Sequence, residues 1–157
     1  MDIISPEFLD FSAHRLLRWS QGRRNRRTLV GIAGIPGAGK STLAHQLVDE
    51  LNRVEPGCAA YVPMDGFHLS NAVLEERDLR DVKGSPQTFD IDAYIALLLQ
   101  AQKHGTSPKV PMYDRTVHEP VMPQGDEGRI PATARIIVTE GNYLLIDDLG
   151  YERVQCI

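Results

Sequence analysis

Cysteine is nearly absent: the 157 residues hold two, Cys58 and Cys156, far apart in the chain. With no CxxC pair, a disulfide scaffold, a cysteine-based zinc site and a redox motif are excluded, and a reducing, cytoplasmic compartment is expected. Long hydrophobic runs are missing as well. The longest, around Ile95 to Leu99, falls far short of the roughly 20 apolar residues that cross a bilayer, so no membrane partner is expected. Positive charge is not in excess: 17 basic residues face 21 acidic ones, a net charge of −4, and no global field draws the chain to nucleic acid. The start, Met1-Asp2, lacks the basic cluster and small-residue cleavage site of a secretory signal.

Hydrophobic residues make up 42% of the chain, and this length buries about 70% of the unfolded surface, enough for one domain with a real core. Charge is uneven, since six of the 17 basic residues are arginines between Arg15 and Arg27. The stretch Gly22 to Arg27 reads as an exposed connector, either a phosphate or RNA contact or a solvated loop. No aromatic residues interleave these arginines, which favours the loop.

Periodicity predicts a helix over residues 5–20, with Ser5 as its cap and Pro6 in its first turn. The run Thr28 to Gly34 reads as a buried strand, Lys40 to Val54 as an amphipathic helix, and Ala59 to Met64 as a second strand. Ser70 caps a short helix through Leu79. Asp90 or Asp92 caps a further helix, with Gly105 as its C-terminal cap. From Thr106 to Thr133 the chain is loop-like, carrying five of the ten prolines, apart from a short strand at Lys109 to Tyr113. Arg135 to Thr139 is a third buried strand. Apolar strands alternating with helices predict an α/β fold, a mainly parallel sheet covered on both faces. Residues 1–27 form an N-terminal helix and basic connector, and residues 28–157 the core.

The string Gly34-Ile35-Pro36-Gly37-Ala38-Gly39-Lys40-Ser41 matches GxxxxGK[ST] between a strand and a helix, the context that its mechanism requires. Glycines let backbone N–H groups wrap a phosphate chain, and the helix that follows points its positive end at it. Residues Gly34 to Thr42 are therefore the candidate nucleotide-binding set. Lys40 reaches the β/γ-phosphates, and the Ser41 hydroxyl is a ligand for Mg²⁺.

Three further constellations fall where a parallel sheet presents its ligand site, at or near strand ends. Asp65-Gly66-Phe67-His68 follows the second strand; its carboxylate is either a general base for an acceptor hydroxyl or a turn residue satisfying local N–H groups. Glu140-Gly141-Asn142 follows the third strand, where a carboxylate can hold Mg²⁺ and a glycine permits close approach. Tyr113-Asp114-Arg115-Thr116-Val117-His118 groups an aromatic, a cation and an imidazole within one loop, fit either to bind a polar substrate or to lie at the surface.

The strings Pro63-Met64-Asp65-Gly66-Phe67-His68-Leu69-Ser70-Asn71, RDVKGSPQTFD over Arg80 to Asp90, and Thr139-Glu140-Gly141-Asn142-Tyr143-Leu144-Leu145 resemble the phosphoribulokinase/uridine kinase family. The likeness runs from Leu29 to Asp147, and Lys83 to Asp90 is also similar to bacterial pantothenate kinase. It implies a three-layer P-loop NTPase fold. It also implies ATP and Mg²⁺ as co-substrates and a small acceptor alcohol: a nucleoside, a sugar or a pantothenate-like molecule. On the same resemblance Asp65 is the catalytic base, working with Lys40, and Glu140 is the acidic neighbour of Mg²⁺. Asp90, after Phe89, holds ribose hydroxyls, and Tyr113 and His118 surround a nucleobase. Gly66 and His68 depart from the serine or threonine and the tyrosine of uridine kinases.

Members of that family continue into two more strands, lid arginines and part of an adenine pocket. The chain is accordingly expected to lack those parts and to place Leu29 to Ala33 at or near a sheet edge. Weak nucleotide binding, marginal stability or self-association into a homo-oligomer, and little turnover are expected with it. Two rival readings are a nucleotide-binding module without catalysis and a GTPase. The latter rests on Asp147-Asp148-Leu149-Gly150, which fits DxxG but is followed by no NKxD.

Overall fold

A computed structural model describes residues 4–23 and 25–157; residues 1–3 and Arg24 of the basic run lie outside the described residues. Ser5 caps α1 (Pro6–Ser20) by accepting from the Phe8 amide at 3.2 Å. There follow β1 (Thr28–Ala33), α2 (Lys40–Val54), β2 (Ala59–Pro63), the short α3 (Asn71–Glu76) and α4 (Ile91–Gln102). A hairpin of β3 (Met112–Asp114) and β4 (Glu119–Val121) precedes β5 (Ile136–Gly141).

The larger sheet has the order β1-β5-β2, with both pairings parallel. Alternation along the strands divides the core in two. Ala59, Ile136 and Val138 face α1 and α2, packing on Ala13, Leu17, Ala44, Leu47 and Leu51. Ala60, Val62 and Ile137 face the opposite side, where Tyr94 and Leu98 of α4 close over them. The three layers follow from this two-sided burial. β5 is buried at all six positions, while β1, with one strand partner among the described residues, leaves Gly31 and Ala33 exposed. The edge position expected for Leu29 to Ala33 is observed, and the full burial expected of that strand is not.

Four local expectations need correction. Arg27 is no part of a solvated connector: it is 0% exposed. Its guanidinium donates to the carbonyls of Ala134 (2.7 Å), Ala101 (2.8 Å), Lys103 (3.0 Å) and Thr106 (2.6 Å). Those bonds absorb carbonyls at the end of α4, so the helix stops at an extended Lys103, and Gly105 (φ +79°) turns the chain beyond it. Pro108 and Pro111 cannot donate to a ladder, so Lys109 makes a single bridge to Arg129 and the strand begins at Met112. The helix capped by Ser70 ends at Glu76 and not at Leu79, because Asp78 turns left-handed (φ +54°), and residues Tyr151–Cys156 form a 3₁₀ helix.

Candidate active site

The loop between β1 and α2 is shaped by two left-handed glycines, Gly37 (φ +77°) and Gly39 (φ +82°), a conformation that a Cβ would strain. Gly39 caps α2 without a side-chain bond, so the first amides of the helix point toward the loop without intrahelical acceptors. Lys40 arches back over the loop: its side chain is 9% exposed and Nζ donates to the Ile35 carbonyl at 2.8 Å. Ile35, Pro36, Ala38 and Thr42 are exposed along the rim, with Gly34 and Ser41 half-buried beneath. Cationic, amide-rich and open, the loop is fit for a polyphosphate.

Ser41, Asp65 and Glu140, separated by up to a hundred residues in sequence, line one cavity of about 140 Å³ together with His45, Tyr61, Pro63, Met112, Tyr113 and Arg115. Glu140 is the penultimate residue of the fully buried β5 and is 4% exposed. Gly141 beside it permits the packing of β5 against the turn that carries Asp65, since a Cβ there would sit 2.9 Å from Met64 Cβ. Asp65 lies in a 3₁₀ turn (Met64–Phe67) directly after β2. Among the described residues no hydrogen bond ends on its carboxylate; the Asp65 carbonyl is what accepts from His68. The carboxylate is therefore not tied up in a turn, and it faces the cavity.

Other expected substrate residues divide between two places. Tyr113 and Arg115 share the Asp65 cavity, because the hairpin folds over the turn: a Cβ on Gly66 would overlap the Pro111 carbonyl, so only glycine admits that approach. Burial, and then the charges of Asp65 and Glu119, push the Tyr113 hydroxyl to higher pKa, leaving it a neutral donor. His68 and Asp90 instead line a separate cleft of about 460 Å³ between α4 and the proline-rich segment. The His68 ring packs on Phe89 (4.0 Å between centroids) and Tyr113 (4.6 Å), and burial lowers its pKa, so the imidazole is neutral. Asp90 caps α4, accepting from the Ala93 amide at 2.9 Å. His118 is exposed in the hairpin turn with φ +53° and lines neither cavity. Its carbonyl accepts from Lys83, which also donates to Asn71 Oδ1 at 2.6 Å and so ties the hairpin down.

Two residues of this site escape sequence reasoning. Tyr61 and His45 sit in no motif, and only strand parity or helical spacing reveals them, while Lys83 stands in RDVKGSPQTFD but shows its contacts to Asn71 and His118 only in the fold. The Tyr61 hydroxyl donates to Glu140 Oε1 at 2.9 Å; burial and then the Glu140 charge raise its pKa, so it too is a neutral donor. The DxxG string is a local turn. Asp148 accepts from the Leu149 amide, Asp147 from Gln155, and Gly150 opens the final 3₁₀ helix.

A phosphate loop on a parallel sheet, with carboxylates at the carboxyl ends of the sheet's other two strands, is the layout of a P-loop kinase core. Comparison with known proteins agrees. The family model for the nephrocystin 3 N-terminal region matches residues 11–74, which include the phosphate loop. The chain is 37% identical over 137 residues to the uncharacterized protein YggC of Escherichia coli (86% of this chain, 54% of YggC). It is 35% identical over 153 residues to a Schizosaccharomyces pombe protein provisionally assigned as a uridine kinase (93% of this chain, 61% of that protein). A crystal structure from Silicibacter, of a protein provisionally assigned as a fructose transport system kinase, superimposes with a TM-score of 0.79 at 36% identity. It covers 94% of this chain and 69% of the other. The chain belongs to the uridine-kinase-like family of P-loop kinases. It spans little more than half of the length of the two curated relatives. No described helix is long and apolar enough to cross a membrane.

Proposed function

We propose that this chain is the core of an ATP-dependent kinase that transfers the γ-phosphate to a hydroxyl of a small metabolite: a nucleoside, a sugar or a pantothenate-like alcohol. The observation that carries this reading is the meeting of Ser41, Asp65 and Glu140 in one cavity beside the phosphate loop. Gly34 to Thr42 hold the triphosphate through backbone amides, and Lys40 exchanges the Ile35 carbonyl for phosphate oxygens. An oxygen donor set of one hydroxyl and nearby carboxylates suits Mg²⁺, which keeps much of its water and travels with the nucleotide. Ser41 would ligate that ion, with Glu140 beside it.

Asp65 has a carboxylate that no described bond engages, and it takes the proton of the acceptor hydroxyl as that oxygen attacks the γ-phosphorus. The bond from γ-phosphorus to the bridging oxygen breaks, and ADP leaves. Arg115, lining the same cavity, is positioned to offset charge on the transferring group. The test is transfer from ATP to a panel of the three acceptor types by the parent chain and by Asp65→Asn, followed at high enzyme concentration and long incubation because little turnover is expected of this chain. One acceptor should be phosphorylated, with Asp65→Asn slowing transfer roughly 10²- to 10⁴-fold at unchanged ATP affinity. ATP affinity falling in parallel with transfer would make Asp65 a metal or structural residue and overturn the assignment.

A further inference from the structure

The Tyr61 side chain lies between the groups that flank the phosphate loop, bonding Glu140 in the cavity that Ser41 also lines. Its parity on β2 points it toward α2, the face onto which Glu140 also projects from β5, two residues further along the paired register. A carboxylate as buried as Glu140 needs a polar partner to offset its lost hydration. Among the described hydrogen bonds the Tyr61 hydroxyl, on Oε1 at 2.9 Å, is that partner, and none ends on Oε2. The Tyr61 ring is itself held in place, packed 4.4 Å from the His45 ring, one turn along α2 from Ser41. Ser41, His45, Tyr61 and Glu140 all line the same cavity.

We propose that Tyr61 is the positioning residue for Glu140: its hydroxyl fixes Oε1 and so turns Oε2 toward the water shell of nucleotide-bound Mg²⁺. This rests on the kinase reading above. A carboxylate free to rotate would meet those waters only part of the time, and partners that orient a metal's neighbours are worth roughly 10- to 100-fold in metal affinity. Tyr61 does not touch the reacting atoms. Its hydroxyl bonds Glu140 and also interacts with Ser41, so it belongs with metal dependence and not with acceptor recognition.

The experiment is titration of ATP binding by calorimetry in EDTA and across a range of MgCl₂, for the parent, Tyr61→Phe, Glu140→Gln and the double variant. Tyr61→Phe keeps the ring and its packing on His45. It should leave ATP affinity in EDTA unchanged while raising the Mg²⁺ concentration at half-effect about tenfold or more. In the Glu140→Gln background the same change should add nothing, because the two groups act as a unit. A Mg²⁺ midpoint within twofold of the parent overturns the proposal, as does an equal loss in EDTA or full additivity in the double variant. If Tyr61→Phe does not fold, Glu140→Asp draws the carboxylate back from the hydroxyl without touching β2 and must raise the midpoint likewise. A parent whose ATP affinity ignores Mg²⁺ overturns both this proposal and the kinase reading. A parent that responds to Mg²⁺ beside a Tyr61→Phe that behaves identically overturns this one only.

Discussion

The two halves of the site are built by different means. The nucleotide half is a contiguous string, Gly34 to Thr42, held by backbone geometry and one helix end, with a single side chain, Lys40, at its centre. The acceptor half is assembled from three segments: the turn after β2, the loop before α4 and the hairpin. It is joined by isolated contacts such as Gly66 against Pro111 and Lys83 on Asn71 and His118. A site made by backbone tolerates change in its side chains. A site made by docking depends on each point of contact. Substitutions should therefore separate the halves, binding in one and transfer in the other.

The largest effect within the nucleotide half belongs to Lys40→Ala. Bonds to charged groups are worth about 1.5–3 kcal/mol, so ATP affinity should drop roughly 10- to 100-fold, read by calorimetry. Stability should hold, because the backbone amides and Gly39 still shape the loop and, among the described residues, the one hydrogen bond of the ammonium goes to the Ile35 carbonyl. Unchanged ATP affinity in this variant would remove the phosphate-loop assignment, and with it the contrast between the halves.

That contrast also sets what could be read from sequence. The phosphate loop was legible because its chemistry is local: glycine spacing, a strand before it and a helix after it determine where amides point. Asp65 and Glu140 were legible by their place after apolar strands, which parallel topology brings to one edge. Tyr61 was not, since a tyrosine inside a strand is equally a core residue until its register with β5 is known. Arg27 misled for a related reason. Its neighbours Arg23 and Arg26 are exposed, and nothing local signals that its guanidinium turns inward to the carbonyls of Ala101 and Ala134. His118 failed by one turn of the chain: the hairpin that places Tyr113 and Arg115 in the cavity leaves its imidazole outside.

Gly66→Ala sharpens the difference from the acceptor side. The added methyl meets backbone, the Pro111 carbonyl, which cannot swing aside as a long side chain does. Overpacking of this kind costs about 1–3 kcal/mol, and here the hairpin must lift from the turn, carrying Tyr113 and Arg115 with it. Transfer and acceptor affinity should fall while the affinity for ATP with Mg²⁺ stays at the parent value. If both fall together, the halves are one cooperative unit and not two.

Asp90 gives the smallest effect and tests the border between frame and site. Its Oδ1 accepts from the Ala93 amide as the cap of α4, and the carboxylate also lines the cleft beside His68. Asparagine caps a helix about as well as aspartate, whereas alanine loses about 1 kcal/mol. Asp90→Ala should therefore lower the thermal midpoint by about 2–4 °C, as a domain of this size loses for each kcal/mol, and Asp90→Asn should leave it at the parent value. The same pair of variants reads function separately from stability. Both remove the charge, but only alanine removes the cap. An acceptor KM that rises equally in both would assign the carboxylate to ligand hydroxyls. A KM that moves only in Asp90→Ala, along with the midpoint, would confine Asp90 to the frame. The cap uses one carboxylate oxygen and no described bond ends on the other, so both roles fit one side chain, and the asparagine variant is what separates them.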